Sequence, residues 1–196
     1  LSKLTAGATN KMEFIPTAIQ DVVLIIPRIF GDERGFFLET YRQDVFESAC
    51  GPINFVQDNH SGSRQGTLRG LHYQLPPHAQ GKLVRVVQGA VWDVAVDIRP
   101  HSPTFGQWVA ETLTAENHKQ LWLPPGFAHG FVVLSDTADF LYKTTAYYAP
   151  ECDRGIAWND PDLAIAWPAL PVDYLLSDKD QRQPRFVDAD LARLAG

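Results

Sequence analysis

Between Gly89 and Arg99 the chain alternates: Ala90, Trp92, Val94, Val96 and Ile98 fall on one face of an extended segment, and Asp93 and Asp97 fall on the other. Side chains alternate across a strand with period two, so residues 90–98 read as a half-buried β-strand. Gly89 separates this run from the apolar residues 83–87, as a hairpin turn does. Further strand-like runs occupy residues 22–30, 56–61, 70–74, 108–114, 120–123, 130–134 and 140–148. Only two stretches read as helix: residues 43–50, closed by Gly51, and residues 188–194. Fourteen Gly and fourteen Pro supply the turns that so many short strands need. The pattern predicts an all-β domain, a sandwich or a jelly roll with a few short peripheral helices, and periodicity does not choose between them.

A chain of 196 residues suits one domain with a sizeable core. It contains no repeat, low-complexity stretch or linker, and no apolar run approaches the roughly 18 residues of a membrane helix. The first ten residues, LSKLTAGATN, lack the apolar block of a signal peptide. Met12 is the single methionine, so residues 1–11 read as an upstream extension or a cloning remnant. Two cysteines, Cys50 and Cys152, make no disulfide framework and point to the reducing cytoplasm. A net charge of −6 argues against nucleic acid as a partner. It leaves room for an anionic small molecule held by a few local cations.

Chemistry-bearing residues stand in several contexts. His72 lies in Leu68-Arg69-Gly70-Leu71-His72-Tyr73-Gln74. On a regular strand it shares a face with Gly70 and Gln74, while Arg69, Leu71 and Tyr73 point the other way. His129 follows the tight turn Pro124-Pro125-Gly126. Gln74 stands where a His-x-His metal pair would need its second histidine, and no His/Cys cluster has zinc spacing, so no metal is expected. Any reaction must then use side-chain acids and bases. Tyr142 and Tyr148 fall on one face of residues 140–148, and a phenol can deliver a proton to a carbanion. Arg34, Arg69 and Lys82 each adjoin a glycine, which leaves space for a phosphate between cations; each also fits a solvated surface position.

Ordered motifs make the pattern specific. Arg34-Gly35-Phe36-Phe37-Leu38-Glu39, Gln57-Asp58-Asn59, the His72 segment, Lys82-Leu83-Val84-Arg85 and Val94-Ala95-Val96-Asp97-Ile98-Arg99 come first. Ser102-Pro103-Thr104-Phe105-Gly106, Pro125-Gly126-Phe127-Ala128-His129-Gly130-Phe131, Tyr142-Lys143-Thr144-Thr145, Trp158-Asn159-Asp160-Pro161, Ile165-Ala166-Trp167-Pro168 and Leu176-Ser177-Asp178-Lys179-Asp180 follow. In content and order the chain resembles the dTDP-4-dehydrorhamnose 3,5-epimerase family over residues 12–185, with 186–196 left as a helical tail.

The resemblance implies a cupin-type jelly roll (double-stranded β-helix), a homodimer, no cofactor, and a dTDP-sugar substrate inverted at C3 and C5 beside a C4 ketone. A relative that inverts one carbon of a related dTDP-sugar would carry the same acid and base. A non-catalytic sugar-nucleotide-binding cupin would need neither. By resemblance His72 matches the base, Tyr142 the acid, and Asp180 the carboxylate that orients the base, with Asp178 close enough to compete for that place. Lys82 matches a residue near the sugar ketone. Arg34, Phe37, Glu39, Gln57, Asn59, Arg69, His129 and Tyr148 match substrate-contacting positions.

Overall fold

The computed structural model describes residues 11–194. Thirteen strands form two antiparallel sheets and one separate hairpin. β1 (Glu13–Pro16), β2 (Val23–Ile26), β10 (Gln120–Leu123), β7 (Lys82–Gln88), β12 (Thr137–Thr144) and β5 (Gln57–Arg64) make a six-stranded sheet in the spatial order β1-β2-β10-β7-β12-β5. β13 (Asp153–Gly155), β6 (Leu68–Gln74), β11 (Phe127–Val133), β8 (Ala90–Asp97) and β9 (Trp108–Thr114) make a five-stranded sheet in the order β13-β6-β11-β8-β9. The hairpin of β3 (Ile29–Asp32) and β4 (Gly35–Leu38) pairs with neither.

The sheets close face to face as a jelly roll around Val84, Val86, Val91, Ala95, Leu113, Leu121, Phe131 and Phe140. Phe131 and Phe140, one from each sheet, stack with ring centroids 4.2 Å apart. Each such buried side chain contributes about 1.5–3 kcal/mol relative to exposure. Among the described residues no helix is long and apolar enough to cross a membrane.

α1 (Gln43–Cys50) forms where expected. Gly51 at φ +86° caps it by donating its N–H to the Glu47 carbonyl, and Phe46 is its buried anchor against Trp122 and Phe55. This outer layer covers Leu83 and Trp122 on the outside of the six-stranded sheet. The chain after β13 covers the outside of the five-stranded sheet, packing Ile156, Leu163, Trp167 and Leu191 against Trp92, Val94 and Trp108.

That cover changes the reading of residues 90–98. The apolar face of β8 does not meet the barrel interior; it meets the C-terminal segment. Asp93 pairs across the sheet with Phe131, whose ring lies in the interior core, so the face carrying Asp93 and Asp97 points inward. Both carboxylates are fully buried rather than solvated. Asp97 is held by Arg99, Ser102 and Thr104, and Asp93 by His129.

Other boundaries also differ. The expected strand 22–30 breaks into β2 and β3 around Pro27, which has no N–H for the ladder. The expected strand 140–148 ends at Thr144, whose hydroxyl donates to the Ala146 carbonyl and turns the chain. Tyr148 therefore lies past the strand and shares no strand face with Tyr142. In place of a helix over 188–194, two single 3-10 turns form at Phe186–Asp188 and Ala192–Leu194. So short a segment gains little from its own hydrogen bonds, and packing decides its shape. A short helix, α2 (Asp178–Gln181), appears instead, capped by Ser177.

Candidate active site

Cross-strand partners share a face of a sheet, so the register shows which side chains enter the barrel. On the six-stranded wall Tyr142 pairs with Asn59 and Val84, and Thr144 with Gln57 and Lys82. Val84 belongs to the interior core, so Tyr142, Asn59, Gln57 and Lys82 face inward. On the five-stranded wall His72 pairs with His129, and Phe131 with both Arg69 and Asp93. The same interior thus receives His72, His129, Arg69 and Asp93.

Arg69 is there because the strand is irregular. Three steps along β6, from His72 to Arg69, span two steps of β11, from His129 to Phe131. The extra residue is a β-bulge at Gly70, which has φ +132°. A Cβ at Gly70 would stand 2.5 Å from the Gly130 Cα, so the two strands approach this closely only through glycine. Regular alternation had placed Arg69 opposite His72; the bulge brings both to one side. The Arg69 guanidinium donates to the Ser63 hydroxyl on β5.

His72 Nε2 lies 2.5 Å from Asp180 Oδ1. Asp180 is buried, whereas Asp178 is exposed and pairs with Arg182, so Asp180 is the carboxylate behind the histidine. Burial works against the Asp180 charge. His72, the Ser177 hydroxyl and the Gly70 N–H outweigh it and hold the carboxyl below its usual range. With Nε2 given to Asp180, Nδ1 of a neutral ring is the nitrogen left to accept a proton.

Three neighbours complete the interior. Burial pushes the Lys82 ammonium down to about 8, opposed by the Asp153 and Asp93 carboxylates. Burial lifts the Tyr142 phenol above its usual value; Arg69 opposes this and Asp153 adds to it. His129 Nε2 sits 2.9 Å from Asp93 Oδ2, and its ring stacks on Phe140. Burial drives this pair toward its neutral forms, raising Asp93 and lowering His129. Asp93 Oδ1 and Asn59 Nδ2 are buried without a hydrogen-bond partner. Buried polar atoms are seldom left so, and both suit a bound polar molecule.

Around Tyr148, Gln57 accepts from its backbone N–H at 3.0 Å and donates to Asn59 at 2.9 Å. The Tyr148 hydroxyl donates to Asp153, which also pairs with Lys179 beside Asp180. Gln57, Asn59, Arg69, His129 and Tyr148 therefore gather with His72, Tyr142, Lys82 and Asp180. Arg34, Phe37 and Glu39 do not. Arg34 is exposed and paired with Asp32. Phe37 and Glu39 line a cavity of about 810 Å³ with Phe14, Arg28 and α1, outside the barrel.

The sequence reading missed Asp93, Asp153 and Ser177. Asp93 had a signal, a carboxylate in the middle of an apolar strand. Ser177 had one too, the Ser-x-x-Asp spacing of a helix cap. Asp153 had none. Among the described residues, no three His, Cys, Asp or Glu side chains converge as metal ligands do.

A jelly roll carrying a histidine–aspartate couple on one inner wall, and a tyrosine and a lysine on the other, defines a cupin-type carbohydrate epimerase. Residues 16–188 match the model of the dTDP-4-dehydrorhamnose 3,5-epimerase family. A Pseudomonas aeruginosa dTDP-4-dehydrorhamnose 3,5-epimerase is 63% identical over 174 residues, 88% of this chain and 95% of that protein. The crystal structure of a Legionella pneumophila dTDP-6-deoxy-D-glucose-3,5-epimerase, in complex with dTDP-4-keto-L-rhamnose, superposes with a TM-score of 0.89 at 52% identity. That match covers 94% of this chain and 97% of the other. A Streptomyces niveus dTDP-4-dehydrorhamnose 3-epimerase is 40% identical over 87% of this chain and 82% of its own length. The chain belongs to the dTDP-4-dehydrorhamnose 3,5-epimerase family.

Proposed function

We propose that the chain converts dTDP-4-dehydro-6-deoxy-D-glucose to dTDP-4-dehydro-L-rhamnose by inverting C3 and C5, a step of dTDP-L-rhamnose biosynthesis. The observation that carries this reading is the placing of His72, backed by Asp180, and Tyr142 on opposite inner walls. Inversion needs a base on one side of a carbon and a proton donor on the other. A C–H beside a ketone is acidic because its anion delocalises onto oxygen. Lys82, with a pKa of about 8, is still mostly protonated at neutral pH and can support that oxygen as charge grows. The raised Tyr142 phenol keeps its proton until a strongly basic carbon takes it. C3 and C5 flank the same ketone, so one pocket serves both once the ring shifts between steps. Arg69 is the cation inside the barrel suited to the diphosphate, whose binding holds the reacting carbons in place.

Inversion at both carbons is supported by likeness: the Pseudomonas 3,5-epimerase is 63% identical and the Streptomyces 3-epimerase 40%. Incubation with substrate in D2O, read by proton NMR, tests it. Deuterium should enter both C3 and C5 of the product. Entry at one carbon would make the chain a single-carbon epimerase, and entry at neither would make it a binding protein. We place the reaction in the cytoplasm, in keeping with two free thiols, Cys152 buried and Cys50 partly buried, in clusters on the outer faces of different sheets.

A homodimer, which we propose, would give Arg34, Phe37 and Glu39 a place. They match substrate contacts but lie outside their own barrel, on or just after a hairpin that exposes Phe30, Phe36 and Phe37. We read them as reaching the barrel of a second copy. Mixing Arg34→Ala with His72→Ala should then restore activity assayed below KM, because in each mixed dimer one site carries both lesions and the other neither. About a quarter of all sites would be intact after random exchange. No recovery from a mixture shown to exchange subunits would rule out the shared site.

A further inference from the structure

Asp180 is the third residue of α2 and Ser177 is its cap. In an ordinary cap of this kind the serine oxygen accepts a backbone N–H, and the acidic side chain three residues on folds back to the N–H of the capping residue. Here only the first half is kept. The Ser177 hydroxyl accepts from the Asp180 N–H at 3.1 Å, but its own proton goes to Asp180 Oδ2 at 2.7 Å. The carboxylate does not fold back; its other oxygen, Oδ1, faces His72 Nε2 at 2.5 Å. A hydroxyl has one proton to give, and this one is committed to the oxygen that His72 does not use.

We propose that Ser177 is a positioning residue for the reaction: it fixes the rotation of the Asp180 carboxylate so that Oδ1, and not Oδ2, meets His72. The proposal rests on the reading of His72 as base and Asp180 as its partner. Without the hydroxyl, Oδ2 loses this donor and the Gly70 N–H is left beside His72, so the carboxylate can turn more freely about its last bond and the imidazole is held less firmly when it takes a proton. Ser177 is exposed and touches no core cluster, so its loss leaves the sheets intact. Its hydroxyl is engaged with Asp180 in both directions, so substrate affinity should not change with it.

Steady-state kinetics of Ser177→Ala, Ser177→Gly, Ser177→Thr, Asp180→Asn and Ser177→Ala/Asp180→Asn test this. Glycine is tolerated at a cap without supplying a hydroxyl. Alanine and glycine should therefore both lower kcat, by about ten-fold, a part of what a hydrogen bond to a charged group provides. KM should stay within about two-fold. Threonine, which restores the hydroxyl, should restore kcat. In the Asp180→Asn background the serine substitution should cost nothing further, since its effect runs through that carboxylate. Asp180→Asn with full kcat would overturn the reading of the couple itself. A damaged Asp180→Asn beside an unaffected Ser177→Ala would overturn the role of Ser177 alone. The same holds for a loss that threonine does not rescue, one confined to KM, or one that persists undiminished in the Asp180→Asn background.

Discussion

His72→Ala is expected to lower kcat by about 10²–10⁴-fold, the range a general base supplies, while the protein stays folded. The side chain lies between a buried carboxylate and the open interior, and no other imidazole can take its place. His129 pairs with it across β6 and β11, but its Nε2 is committed to Asp93 and burial disfavours its charged form. Asp180 keeps two donors after the substitution, the Ser177 hydroxyl and the Gly70 N–H, so the loss of His72 does not strand an unsolvated charge. The measurements are kcat with saturating substrate and a thermal melt beside the parent protein. A folded His72→Ala protein with near-normal turnover would remove the histidine from the reaction.

Tyr142→Phe should separate proton removal from proton return. The ring packs beside Phe140 at 6.0 Å between centroids, and a phenyl group keeps that contact, so the barrel should hold. His72 can still take the proton, and Lys82 can still support the enolate. What is lost is the donor on the opposite wall. A proton can then come back only from His72, to the face it left, and the original configuration reappears. In D2O the recovered substrate should therefore gain deuterium at one or both ring carbons, with little epimer formed, provided the imidazole trades its proton with solvent. NMR of recovered substrate and quantification of product give the two readings. Full epimerisation by Tyr142→Phe would exclude the tyrosine as acid. Loss of both exchange and product would mean either that the phenol is needed for proton removal itself or that the imidazole is shielded from solvent.

Much of this was legible from residue order. Alternation in 90–98 and its fellows correctly gave an all-β chain, and the motif around His72 marked a histidine that the fold sets on the inner face of the five-stranded wall. What alternation could not give was the far side of each sheet. Trp92, Val94 and Val96 looked like the inner face because apolar residues usually are; a C-terminal segment without helix or strand periodicity covers them and leaves Asp93 inside. Arg69 was placed on the wrong side because a one-residue bulge reverses every assignment beyond it, and only glycine at position 70 hinted at one. Tyr148 was carried too far along a strand whose end depends on a hydroxyl–carbonyl contact two residues apart. The choice between Asp178 and Asp180 turned on which side of a four-residue helix faces β6, a matter of tertiary packing.

The last strand ends at Gly155, whereas Asp180 comes 25 residues later in the chain. A ribosome builds from the N-terminus, so every strand of both walls, with the histidine, tyrosine and lysine they bear, is made before the aspartate exists. The shell of the enzyme thus precedes its chemistry. A nascent or prematurely terminated chain ending before residue 177 can hold all thirteen strands and still lack the partner of its imidazole. Competence to enolise a sugar would thus arrive with the stretch that carries Asp180, after every described strand has been made.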